Sequence, residues 1–440
     1  MRSIRFLPSY LIYLPLIGLI AFFLDSSFLA FRNFFPIYEE DVNRIYLISS
    51  IGCVIMVIGI LYILFKMTAD KVKHSRRASI LKYIFFVSQS GIIVFIIITL
   101  LQLQRDGTYS SVYLIVLLSL SYGMGLYCIA LLASKFFAWF RIGREATVLC
   151  YALTMCIFIV FLITSILYAA NEFSTNIYHN MTSSNIGIQV TASNPLPSVY
   201  DTYFYYTYLL TFISVYLITL LSLRVYLKKI RPVFFYLLFS IPLIYFLLKL
   251  VPFFTEYIAS LILYSPTYYG TLYTLLFSGT GPLGGILFSL VLFTLSRRMD
   301  NVLVKNYLSI SALGMLLFFI VNQNPPLQES LLPPFGIISK SFIGLSCYMI
   351  LVGIYSSVTL LSRRNTLTKV VLKELSKDKL FGSAVRSEHQ MQVRGIINKN
   401  IDHIEAFPEI EPEELSKDDV LELVRMVKKE ISERKEPESR

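Results

Sequence analysis

Ten stretches of the chain are long and apolar enough to be read as membrane-crossing helices. They run near residues 8–30, 45–65, 83–104, 112–134, 146–170, 203–223, 233–254, 271–296, 304–321 and 335–362. About twenty apolar residues, each rising 1.5 Å, cross a hydrocarbon core of roughly 30 Å. The pattern predicts an all-α polytopic bundle of about ten spans over residues 1–362, followed by a cytoplasmic helical tail over 363–440. Arg2 and Arg5 ahead of the first apolar run imitate a signal peptide, but no small-x-small cleavage signature follows, since Phe28 stands two places before Ala30. An uncleaved first span is the expectation.

Polar segments between these runs alternate in charge. The segments 1–5, 66–82, 135–145, 224–231 and 297–305 hold eighteen Lys and Arg residues together, whereas 31–44, 105–111, 171–202, 255–270 and 322–334 hold three. Excess Lys and Arg marks the cytoplasmic side, so the bias predicts both termini inside. One lost helix would swap the sides of every later segment, and the unbroken alternation therefore also supports the count. Tyr200, Tyr203, Tyr205, Tyr206 and Tyr208 crowd the outer end of the sixth run, and Tyr264, Tyr268, Tyr269 and Tyr273 precede the eighth. Rings at the headgroup level, hydroxyls in water, account for both clusters.

Composition agrees. Of 440 residues, 55% are hydrophobic and 15% charged, well below the roughly 25% charged of a soluble domain. The net charge of +11 resides in the short loops, which favours membrane insertion over nucleic-acid binding. Cys53, Cys128, Cys150, Cys156 and Cys347 all fall within the apolar runs, where they suit packing better than disulfides or metal ligation. The histidines His74, His179, His389 and His403 lie in loops or tail, and neither a P-loop nor a zinc-protease signature is present. No cofactor and no metal are expected.

Candidate chemistry is sparse. Apart from Lys305 at the very start of the ninth run, only Asp25, Lys249 and Lys340 are charged within the runs, and Lys249 and Lys340 lie near outer ends, where long side chains are expected to snorkel to the interface. Glu39, Glu40 and Asp41 form an acidic triplet in the first external loop. Multispan lipid-linked sugar transferases use acidic residues at such a place to bind metal or accept a proton, and these three are the weak catalytic candidates. Gly279, Gly281, Pro282, Gly284 and Gly285 would weaken the eighth run and could free backbone groups for a substrate. Their spacing, continued through Ser289, equally suits close helix packing. Ser119 with Gly123, Ser121 with Gly125, and Ala130 with Ser134 repeat that spacing in the fourth run. Asn180 in Asn180-Met181-Thr182 is a possible glycosylation acceptor in the largest external loop.

The tail begins with nine basic and three acidic residues over 363–399 and continues with seven and thirteen over 400–440. Leu367, Val370, Val371 and Leu375, backed by Lys369, Lys373 and Lys377, describe a basic juxtamembrane helix able to rest on anionic lipid headgroups. An acidic linker, Phe407 to Pro412, leads to a helix capped by Ser416. Its stripe of Val420, Leu423, Val424, Val427 and Ile431 is expected to dock on the preceding helix, a second copy or a cytoplasmic protein partner. A cut after Asn365 leaves every span and is expected to leave the bundle intact. Three functions compete: a membrane-embedded sensor or scaffold acting through its tail, which is preferred and is not enzymatic; a secondary transporter; and a membrane transferase.

Overall fold

The computed structural model describes residues 39–69, 76–106, 111–182, 199–226, 232–248, 280–297, 299, 301–321, 340–362 and 383–392. Those residues are all-helical, with no strand among them. In chain order the helices are α1 (Glu39–Ala69), α2 (Arg76–Asp106), α3 (Ser111–Gly143), α4 (Ala146–Thr182), α5 (Val199–Tyr226), α6 (Pro232–Leu248), α7 (Thr280–Arg297), α8 (Val302–Val321) and α9 (Ile343–Ser362). A short helical segment at 383–392, α10, follows. Six of them (α2, α3, α4, α5, α8 and α9) are long and apolar enough to cross a membrane. The first apolar run with Asp25, together with Lys249, Gly279, the second tyrosine cluster and the stripe from Val420 to Ile431, lies outside the described residues.

Six helices close a ring: α3 packs on α4, α4 on α5, α5 on α7, α7 on α8, α8 on α9, and α9 back on α3. Against this ring α2 lies on α3, α1 on α2, and α6 on α5 and α7. An aromatic cluster fills one side of the interior. Phe158 of α4 meets Phe318 of α8 at 4.9 Å, Phe212 of α5 meets Phe288 of α7 at 5.3 Å, and Phe288 meets Phe319 at 4.6 Å. Rings at these distances and tilts add stabilisation beyond their buried area. Opposite, Phe85 of α2 stacks on Tyr348 of α9 at 3.7 Å with the planes 10° apart.

Glycines set how closely the helices approach. A side chain at Gly314 would stand 2.8 Å from Met349 Cβ and 2.9 Å from Ser346 O, and one at Gly353 would stand 2.6 Å from Tyr307 O. Ser346 O and Tyr307 O are backbone atoms, so at both glycines α8 and α9 approach main chain to main chain. Of the small-residue pairs in α3, Ser121 with Gly125 faces the bundle: a side chain at Gly125 would meet Cys347, Ile343 and Leu162, whereas Gly123 faces open space. Side-chain hydrogen bonds cross other seams, Thr164 to Thr207 at 2.8 Å and Tyr151 to Ser222 at 3.0 Å between α4 and α5, and Ser296 to Ser309 at 2.8 Å between α7 and α8. With lipid outside, such contacts replace hydrophobic driving force between helices.

The outward faces are apolar. Ile48, Ile55 and Ile58 of α1, Val87 and Val94 of α2, and Leu217 and Leu221 of α5 are all exposed, which suits contact with hydrocarbon. In α5, Tyr200, Tyr203 and Tyr206 are exposed while Phe204 and Tyr208 are buried. The tyrosine cluster thus divides between rim and core. All five cysteines are free thiols within helices.

The structure also differs from several sequence expectations. Lys340 does not snorkel; it is fully buried, because the turn it occupies is enclosed by the bundle. Glu39, Glu40 and Asp41 form the first turn of α1, not a loop, a place where the helix dipole favours carboxylates. Asn180 lies in the last turn of α4, which runs on to Thr182 beyond its apolar part. Gly281 and Pro282 belong to the first turn of α7, where a helix has no use for the donor that proline lacks. Gly284 and Gly285, one turn on, face Phe212 of α5 and Leu316 and Phe319 of α8. Apart from these differences, packing divides the chain into compact units Met1–His389 and Gln390–Arg440.

The glycine contacts give a graded test. Gly353→Ala should lower the thermal unfolding midpoint of the purified protein, at a cost of about 2 kcal/mol from overpacking. Gly123→Ala, with nothing within 4 Å, should be neutral or slightly stabilising. Equal midpoints for the two variants would mean that the α8–α9 approach is not as close as described.

Candidate functional site

Among the described residues two charged side chains are buried, Lys340 and Glu388. They stand toward opposite ends of α9, and a polar cluster lies at each end. Burying a charge in apolar surroundings is expensive unless partners compensate, so both clusters need an account.

The cluster around Glu388 forms at the turn between α3 and α4. There α3 ends at Gly143, Arg144 takes a left-handed backbone with φ of 49°, and its N–H donates to Phe140 O at 2.7 Å. Gly143 faces α10: a side chain there would stand 2.6 Å from Ser387 Oγ. The buried residues of α10 (Ser383, Ala384, Val385, Ser387 and Glu388) alternate with exposed Arg386 and Gln390. That is the signature of a short helix lying on a surface. Trp139, the only tryptophan and fully buried, donates its Nε1–H to Glu388 Oε2 at 2.8 Å. Its indole also packs edge-on against Phe136 at 5.2 Å. Beside them His389 Nδ1 lies 3.1 Å from Ser362 O, the last residue of α9. In the tautomer that carries its proton on Nδ1, the imidazole donates to that carbonyl. Arg386 and Glu145 approach to 3.9 Å at the surface, both well exposed, and so add little.

The second cluster surrounds the start of α9. Ser121 of α3 accepts from Gly344 N–H at 3.1 Å and donates to Lys340 O at 3.3 Å. Gln89 of α2 is fully buried, and neither its Oε1 nor its Nε2 has a partner; the neighbouring Ser88 Oγ has none either. Gln89 Nε2 points at this turn, 3.5 Å from where a side chain on Gly344 would begin. Every residue from Lys340 to Leu351 is buried, so the N-terminal end of α9 is enclosed on all sides. A cleft between α3 and α4 is lined by Ile115, Leu118, Ser119, Tyr122, Ile166 and Ala169.

The sequence candidates and these clusters hardly overlap. Asn180 stands in the last turn of α4, the triplet Glu39 to Asp41 in the first turn of α1, and Gly281 and Pro282 in the first turn of α7; Gly284 and Gly285 face the aromatic side of the bundle, and the stripe from Val420 to Ile431 lies outside the described residues. Lys340 is the exception. Gln89, Trp139 and Glu388 went unmarked by sequence reasoning, although a lone tryptophan and a glutamine within an apolar run are both signals of a kind. No group of three or more His, Cys, Asp or Glu residues that could hold a metal ion occurs among the described residues. No protein-family model matches the chain, and no curated protein or solved structure is similar to it.

Two substitutions separate the clusters by sign. Trp139→Phe removes the indole donor from the buried Glu388 carboxylate and should destabilise the protein by about 1 kcal/mol or more. Gln89→Leu removes two unsatisfied polar atoms at similar volume and should stabilise the protein by about 1 kcal/mol. Thermal unfolding in detergent reads both; a stabilising Trp139→Phe would contradict the buried bond.

Proposed function

We propose that this chain is a multi-pass membrane sensor or scaffold whose output passes through α9 into α10 and the residues beyond. The observation that carries the reading is the hydrogen bond from Trp139 to Glu388, which ties a segment after the last apolar run to the core of the bundle. A carboxylate buried under an indole is either bonded or released to water, with little stability between. Such a contact suits a two-state device, since a small shift of α9 would change which state is preferred. His389 on the carbonyl of Ser362 links the same segment to the end of α9, and α9 is a continuous rod from there to the polar cluster at Gln89. The charge bias of the loops supports placing both termini, α10 and the rest of the tail in the cytoplasm. There the basic segment after α9 would meet anionic headgroups, and the stripe from Val420 to Ile431 would meet a protein partner.

A secondary transporter is the second reading, and one observation favours it. The enclosed N-terminal end of α9 resembles the interrupted helices with which transporters hold substrates. A transferase has weaker support, because the acidic triplet stands where helix electrostatics alone would favour it.

Orientation is tested in a chain freed of its native cysteines. Single cysteines at Ser183 and Ser193 should react with an impermeant thiol reagent outside intact cells, while those at Ser75 and Ser376 stay protected. Labelling of Ser75 from outside would overturn the topology. Output is tested by two truncations. A chain ending at Gln392 keeps α10 and should remain folded yet fail to complement a deletion strain. A chain ending at Asn365 also strips the cover from Trp139 and should be less stable. Full complementation by the chain ending at Gln392 would remove the tail as output and leave transport as the better account.

A further inference from the structure

We propose that α10 is a latch that leaves the bundle as a unit while the other helices stay folded, and that the hydroxyl of Ser387, set against Gly143, governs how readily it opens. The latch rests on the tail-coupled reading for its role in output. Its test reads the contact and not the output, so either can fail without the other.

Little apolar surface holds α10 down. Of its five buried residues only Ala384 and Val385 are hydrophobic, whereas Ser383, Ser387 and Glu388 are polar. One valine and one alanine supply far less burial than the aromatic side of the bundle does. A helix of ten residues, 383–392, is also too short to persist alone in water. It is helical because it is docked.

Two directional bonds fix where it docks. Trp139 Nε1–H donates to Glu388 Oε2 at 2.8 Å, and His389 Nδ1 lies 3.1 Å from Ser362 O. Water can replace each partner once α10 lifts, so these bonds set position more than they add stability. The exposed pair of Arg386 and Glu145, at 3.9 Å, contributes little.

One group works against docking. Ser387 is 1% exposed, and its Oγ has no hydrogen-bond partner. The same oxygen would stand 2.6 Å from a side chain on Gly143, the last residue of α3. The hydroxyl thus takes the space that a side chain there would need, and gains no bond by it. Opening returns the Ser387 hydroxyl and the Glu388 carboxylate to water, which relieves a cost that docking imposes. The chain permits the movement: twenty residues, 363–382, separate the end of α9 from the start of α10, long enough for α10 to lift without dragging α9. Few buried apolar contacts and solvent-replaceable polar ties are the makeup of segments that open below global unfolding.

Trp139 is the only tryptophan in the chain, so its emission reports the latch. The test uses the full chain purified in detergent, with acrylamide as quencher and hydrogen exchange read by mass spectrometry. Amides of 384–389 should exchange about tenfold or more faster than those of 345–358 in α9. On warming, Trp139 should become quenchable while the buried thiols of Cys53, Cys128 and Cys347 still resist a maleimide. Ser387→Ala deletes the unbonded hydroxyl and should slow exchange over 384–389 about fivefold or more. Gly143→Ala should speed that exchange, and adding Ser387→Ala to it should reverse the change, because the close contact is with the hydroxyl. Ser387→Ala alone decides the matter if Gly143→Ala does not fold. Exchange in α10 as slow as in α9, quenching of Trp139 only together with thiol labelling, or an unchanged rate in Ser387→Ala would overturn the proposal.

Discussion

The close approach of α8 and α9 is the constraint on which the remainder of the bundle depends. At Gly314 and Gly353 the two helices touch through backbone atoms, and nothing larger than glycine fits. This fixes α9 between α8 and α3 with most of its surface buried. Once α9 is fixed, Phe85 can stack on Tyr348, and Ser121 can bridge Gly344 and Lys340. At the other end Ser362 is held where His389 can reach its carbonyl. Both polar clusters are thus consequences of one steric fit, and neither requires a mobile loop to form.

The two clusters differ in how their polarity is resolved. At Glu388 a strong donor meets the carboxylate, so a buried charge is tolerated near the end of the bundle. At Gln89 the donors and acceptors exceed the partners, so the cluster is energetically unfinished. Natural proteins keep such deficits at the expense of stability. The aromatic side of the bundle, from Phe158 to Phe319, shows the opposite solution, in which shape alone suffices.

How much of this could be read in the sequence depends on the range of the interaction. Apolar runs are local, and α1 through α9 fall on nine of the ten runs; Val302–Val321 matches its run to within two residues. Six of the nine have the length and apolarity to cross a membrane by themselves. Helix ends were less legible. Polar residues continue α4 to Thr182 and start α1 at Glu39, because a helix propagates past its apolar segment when nothing stops it. Pro282 was legible as a breaker, but its place in the first turn of α7 depends on where the helix begins. Trp139 and Glu388 are 249 positions apart, and no periodicity connects them. Lys340 looked like an interfacial lysine because its distance from the end of an apolar run was taken for depth. Which of two glycines two residues apart in α3 would face inward, Gly125 and not Gly123, needed the neighbouring helices.

The order in which the ring closes has a bearing on synthesis. Chain order brings α3, α4 and α5 out first and α9 after all the other ring members, yet α9 is the member that α3 must contact. In a membrane-inserted chain the earlier helices would stand with an open seam during translation, with Ser121 and Gln89 not yet covered by α9. Polar groups so placed would need other partners until α9 arrives. The most deeply enclosed helix is thus a late keystone, and a ribosome that stalls before residue 343 would leave behind an arch without one.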